Sequence, residues 1–364
     1  MTRRPSLGWA LYLSSVGALA CEDAVKPPAT AWSGVYLDYG QSEGLQPCVG
    51  THAYADGFVP FLAGELGMDP TRASYSWLNS GEYDATDCPE ASSGCAVRTH
   101  AISSYPFHLH EQVHAWAAVY DMNGLPFYTE GLAVAYDWFS EDADKRFLFV
   151  PRVDPSQDLR EQMLLPALDL DYPQAGVFVT FLLARHGAGK FIEVSRRARA
   201  GQDIATIEQD FVEVYGVPLV DEVERFRSAG ELPCDDSMFV VRPYDCDMPE
   251  IPWAGDTWVH TGILSCDDDD VAGGLGPDQA WRSVRSVTLT VPQSGRYRVR
   301  RYGDGDDDVE VLIGDCFACP WQHEDRRLTE GDATLELSAG TYFVRVVGSS
   351  DAAPLVGVVI TPKE

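Results

Sequence analysis

The sequence predicts two folded domains: an α+β domain in which a small mixed sheet precedes helices, then an all-β sandwich. Three observations carry this. A chain of 364 residues exceeds what one compact core usually needs. Its first part passes from alternating apolar runs to helical ones. After a Pro-rich stretch, short strands separated by turn signals take over.

The elements follow in chain order. Residues 1–20 begin with Arg3 and Arg4, continue as an apolar stretch from Leu7 to Ala20, and place small residues before Cys21. This is the pattern of an export signal, and it is too short for a membrane span. Ala18-Leu19-Ala20-Cys21 resembles a bacterial lipobox, with Leu next to last instead of three places before the Cys. Lipidation of Cys21 and simple cleavage after Ala20 both fit. The expectation is an outer-membrane or cell-surface lipoprotein, otherwise a periplasmic or secreted protein. Residues 21–31 are polar and Pro-containing and read as a tether.

The α+β domain is assigned to residues 32–230. Residues 35–39, 73–78 and 96–103 read as strands. Residues 52–66 have helical apolar spacing and stop at Gly67. From Phe107 onward the pattern is mainly helical. Residues 177–186 form a buried helix ending at Gly187, and 204–215 and 219–227 are amphipathic helices. Residues 231–254 hold Pro233, Pro243, Pro249, Pro252 and two cysteines, and read as a disulfide-pinned linker. Over 255–364, strands are predicted at 287–291, 297–299, 309–312, 334–337, 341–346 and 356–360, with turns at Ser294-Gly295 and Ala339-Gly340.

Nine cysteines fit export. With Cys21 set aside, an even number remains, which in an oxidising compartment implies disulfides. Cys88–Cys95 and Cys234–Cys246 are candidate local pairs, and the sequence leaves the connectivity open. Cys316-Phe317-Ala318-Cys319 lacks a second CxxC for zinc and reads as a tight disulfide or as two longer bridges. The net charge of −29 repels nucleic acid and anionic membrane surfaces. The runs Asp267 to Asp270 and Asp304 to Asp308 read as solvated acidic loops, with Ca²⁺ as the other reading.

The chemistry is concentrated in Phe107-His108-Leu109-His110-Glu111-Gln112-Val113-His114. This run contains HExxH. Four residues advance about 400° on a helix, so both imidazoles lie on one face and can grip one Zn²⁺. Glu111 beside them can take a proton from water. Gly124 and Pro126 then turn the chain, and a following helix carries Glu130 back past the first. His110, His114 and Glu130 are therefore the candidate metal ligands. Three protein ligands leave a position open, as catalysis requires.

HExxH followed by Pro126-Phe127-Tyr128-Thr129-Glu130-Gly131-Leu132-Ala133 resembles the gluzincin clan, in particular bacterial peptidase-MA-like proteins. Tyr172 to Val179 and Val214 to Leu219 resemble later segments of that family. The resemblance covers residues 32–230 and is strongest over 107–136 and 172–187. It implies a zincin-like metallopeptidase domain acting on a peptide or protein substrate, with His110, His114 and Glu130 as zinc ligands and Glu111 as general base. The developing oxyanion needs a donor besides zinc, for which Tyr172, with His108 behind it, is the candidate; packing of an aromatic before a Pro is the other reading. The resemblance also implies that the strand before the active helix binds an extended substrate. Residues 289–297 and 337–346 resemble the bacterial pre-peptidase C-terminal (PPC) β-sandwich, which implies an accessory or binding role. Two other classes stand beside the peptidase: a non-catalytic cell-surface binding protein on a degenerate gluzincin scaffold, and a structural zinc domain. The intact set His110, Glu111, His114 and Glu130 favours the enzyme.

Overall fold

The computed structural model describes residues 28–89, 92–137, 158–229, 241–276, 281–303, 309–316, 327–328 and 331–363. The predicted export signal, Cys21, Cys234, Cys319 and the Asp304 to Asp308 run lie outside the described residues.

The first lobe runs β1 (Thr30–Ser33), β2 (Leu37–Gln41), β3 (Gln46–Pro47), α1 (Thr51–Glu65), β4 (Ala73–Trp77), α2 (Ser80–Asp84), β5 (Gly94–Val97) and β6 (His100–Ser103). Helices follow: α3 (Leu109–Val119), α4 (Pro126–Tyr136), α5 (Leu159–Gln162), α6 (Tyr172–His186), α7 (Ala188–Arg197), α8 (Ile204–Tyr215) and α9 (Leu219–Ala229). Five strands form one sheet in the order β1-β2-β4-β6-β5. The three central strands are parallel, and β1 and β5 are antiparallel edges.

Two strand predictions are corrected. The strand placed at residues 35–39 begins instead at Leu37, because the Asp56 carboxylate accepts hydrogen bonds from the amides of Val35, Tyr36 and Leu37 and holds the entry as a turn. The single strand placed at 96–103 is a hairpin: β5 and β6 fold on each other around Arg98, whose φ is +55°. That turn lacks the Asn or Gly that usually marks such a position. The helices follow their caps. Asp171 and Asp203 accept from backbone amides at the starts of α6 and α8, and Gly187 and Gly216 close their ends with positive φ. Pro173 in the first turn lets α6 start well before its buried run at 177–186.

The core of this lobe joins the sheet to α1, α3, α4 and α6 through Trp77, Phe58, Trp116, Phe127 and Phe178, all fully buried. Gly131 is needed where α4 meets α6: a Cβ there would lie 2.5 Å from Val179 Cγ2 and 2.7 Å from the Ala175 carbonyl oxygen. Its absence lets the two helices approach.

The second lobe contains β7 (Trp258–Ile263), β8 (Gly274–Leu275), β9 (Arg282–Val291), β10 (Gly295–Gly303), β11 (Glu310–Asp315), β12 (Arg327–Leu328), β13 (Asp332–Leu337), β14 (Gly340–Ser349) and β15 (Leu355–Pro362). Two antiparallel sheets, β13-β10-β15-β7 and β12-β11-β14-β9, bury Trp258, Val299 and Val358 against Leu289, Val311 and Val344. This is the predicted sandwich packing.

The two lobes are fused rather than strung together. β3 pairs with β8, Cys48 is bonded to Cys266, and Trp77 meets Trp281 edge-on. The rest of the predicted linker, from Val241 on, carries a 3₁₀ turn at Tyr244–Asp247. There Asp245 receives Arg345 from β14 at 2.8 and 3.1 Å, and Arg345 also donates to Tyr54 of α1 at 2.7 Å. Arg345 and Asp245 are 3% and 2% exposed. Arg345→Ala would leave the Asp245 carboxylate buried without its cation, so denaturant unfolding is expected to show a loss of ~3–5 kcal/mol.

Cys88–Cys95 forms as predicted, but Cys246 is bonded to Cys316 and not to Cys234. The 3₁₀ turn packs against β9 and β14 and so brings Cys246 to the end of β11. Three disulfides among the described residues point to an oxidising, extracytoplasmic compartment. Among the described residues no helix is long and apolar enough to cross a membrane. In the first acidic run, Asp268 and Asp270 close on Arg285 at 2.6 and 2.7 Å.

Candidate metal centre

α3 and α4 build the site. His108 occupies the N-cap of α3, and the helix carries His110, Glu111 and His114 in its first turns. A short connection leads to α4, which Pro126 starts and on which Glu130 faces α3. His110 Nε2, His114 Nε2 and Glu130 Oε2 stand 3.1 Å from one another in all three pairings. Among the described residues this is the one group of His, Cys, Asp or Glu side chains that could hold a metal ion. The three side chains are 13–16% exposed.

The donor set fits a small divalent cation. Tetrahedral bonds of about 2.0–2.1 Å set ligand atoms about 3.3 Å apart, close to the observed edges. Hydrogen bonds alone account poorly for the triangle. Each ring nitrogen offers one proton or one lone pair in one direction, yet each faces two partners.

Electrostatics tie the group together. Burial pulls His110 down, but the Glu130 hydrogen bond and the charges of Glu111, Glu130 and Asp137 outweigh it and carry its pKa up to about 9. Burial pushes the Glu130 carboxyl up, but His114 and His110 outweigh it and hold it well below the usual carboxylate range. Glu111, 6% exposed, is pushed up by burial. It supplies no atom to the triangle.

A cleft of about 700 Å³ opens onto the three ligands. Residues 92–98, side chains of α3 and α4, and Ala167, Leu168 and Tyr172 line it. The Tyr172 ring stacks on His110 at 6.1 Å between centroids. Burial and the Glu130 and Glu111 carboxylates raise its phenol, so it stays protonated. His108 Nδ1 lies 3.1 Å from Ser103 Oγ at the end of β6. All six predicted site residues thus line one cleft. Sequence reasoning missed Asp137, a buried carboxylate ending α4 in the same cleft, and Gly94 of β5; of the strand it assigned to the substrate, only the part from Ala96 on β5 lies at the sheet edge, because β6, directly before α3, is paired on both sides. Asp137 has no motif signal; β5 was concealed in the misjudged hairpin.

No family model matches this chain, and neither does any curated protein. Among solved structures, part of it is similar to PliG of Aeromonas hydrophila, a periplasmic lysozyme inhibitor of g-type lysozyme. The identity is 14% over 32% of this chain and 97% of that one, with a TM-score of 0.22. Part is also similar to the pre-peptidase C-terminal domain of collagenase from Bacillus anthracis, at 10% identity over 31% of this chain and 94% of that one, TM-score 0.20. Likenesses this distant assign no function to the chain.

Proposed function

We propose that this protein is an extracytoplasmic zinc-dependent peptidase of zincin-like fold, held at a membrane through a lipid on Cys21. The observation that carries the reading is the 3.1 Å triangle of His110, His114 and Glu130 with Glu111 beside it, all lining one cleft. Zn²⁺ held by those three residues would supply Lewis acidity toward a carbonyl oxygen and a water. Glu111 accepts the proton of the attacking water and returns it to the leaving amine. Tyr172, kept protonated beside His110, donates a hydrogen bond to the developing oxyanion. The antiparallel edge strand β5 offers backbone groups to an extended substrate.

A structural zinc site needs a closed shell of four protein ligands. Three converging ligands facing a cleft favour catalysis instead. The β-sandwich, fused to the first lobe, serves as a binding or supporting domain. In the test, zinc-loaded wild type is incubated with a peptide library. Cleavage that a chelator abolishes and added zinc restores is expected; a loaded, folded protein that cleaves nothing contradicts the assignment.

A further inference from the structure

The strand that faces the proposed general base carries glycine at its closest point. A Cβ built on Gly94 would lie 2.5 Å from Glu111 Cγ, 3.0 Å from Glu111 Cδ and 2.6 Å from His108 Nδ1. Carbon atoms in contact normally stand about 3.5–4.0 Å apart. Glu111 Cγ is mid-chain on a buried side chain anchored in α3, so a Cβ at residue 94 would displace the carboxylate rather than brush a free tip. Gly94 is not among the glycines with positive φ, so alanine can adopt its backbone. The requirement is therefore one of space alone.

Register shows what this space serves. Ser104 N donates to Ser93 O, and Gly94 pairs with Ser103, Cys95 with Ile102 and Val97 with His100. Bonded and non-bonded pairs alternate in an antiparallel ladder. Cys95 and Val97 thus bond toward β6, and Gly94 and Ala96 turn their amides and carbonyls to the outer edge of β5. We infer that Gly94 is a positioning residue: its missing side chain sets the Glu111 carboxylate directly against the strand edge along which the substrate backbone lies. The inference rests on the peptidase reading above and adds the element that fixes the distance between base and scissile bond.

The test compares full-length wild type, Gly94→Ala, Glu111→Ala and the double variant. Gly94→Ala is expected to keep its zinc and to lose about 10²-fold in kcat, the cost of an ångström-scale misplacement, with little change in KM. Unfolding midpoints of the metal-free proteins give a readout that needs no turnover. Gly94→Ala should lower the midpoint with Glu111 present, and lower it less in the Glu111→Ala background. Equal shifts in both backgrounds, unchanged kcat, or loss of zinc along with activity would overturn the inference. If wild type cleaves no peptide, it is the peptidase reading that fails. The midpoint comparison still decides the contact, and equal shifts overturn it.

Discussion

Glu111→Gln is expected to leave zinc content unchanged and to lower kcat by about 10²–10⁴-fold, the range a general base contributes. Glutamine keeps the shape of the side chain and its burial, so neither α3 nor the ligand triangle is disturbed. It cannot accept a proton. The carboxyl it replaces is raised by burial, toward the pH at which a base both holds a useful unprotonated fraction and takes protons readily. Steady-state kinetics with zinc analysis on the same samples checks this. Zinc lost together with activity would make Glu111 a ligand or a structural group.

His114→Ala is expected to behave differently. It removes one of three ligand atoms and both of its 3.1 Å contacts, leaving His110 and Glu130 as a two-ligand remnant. Losing even an outer partner of a metal ligand costs about 10–100-fold in affinity, and loss of the ligand itself should exceed that. Zinc content should fall from one per chain to a small fraction after dialysis, with activity lost in proportion. Tyr172→Phe makes the contrast: it keeps the ring stacked on His110, removes only the hydroxyl, and should keep its zinc. Retention of full zinc by His114→Ala would separate the motif from the metal.

The site was legible in the sequence wherever local geometry determines it. His110 and His114 share a face because helices have a fixed pitch, and Glu130 meets them because a short turn at Gly124 and Pro126 folds α4 back on α3. The amphipathic helix α8 was equally plain, since Asp203 and Gly216 mark its ends. What failed depended on partners far along the chain or on unsignalled turns. Arg98 turns the β5–β6 hairpin with a residue type that gives no warning. Cys48 and Cys266 are 218 residues apart, and nothing near either names the other. Cys246 has a nearer candidate in Cys234, but the packing of its 3₁₀ turn on the sandwich selects Cys316. Gly94 precedes the strand placed at 96–103, and only the packing of α3 against it shows the space it leaves. Arg345 falls in a strand the sequence predicts, but nothing near it in the chain names its partner, and the packing of the 3₁₀ turn on β14 buries it on Asp245.

Zinc K-edge X-ray absorption on the purified, zinc-loaded protein addresses the central claim most directly. The spectrum should report one zinc per chain bound by two imidazole nitrogens and a carboxylate oxygen, with one non-protein ligand, and that signature should vanish in His114→Ala. Thiolate sulfur in the shell, four protein ligands, or no bound zinc at all would contradict it.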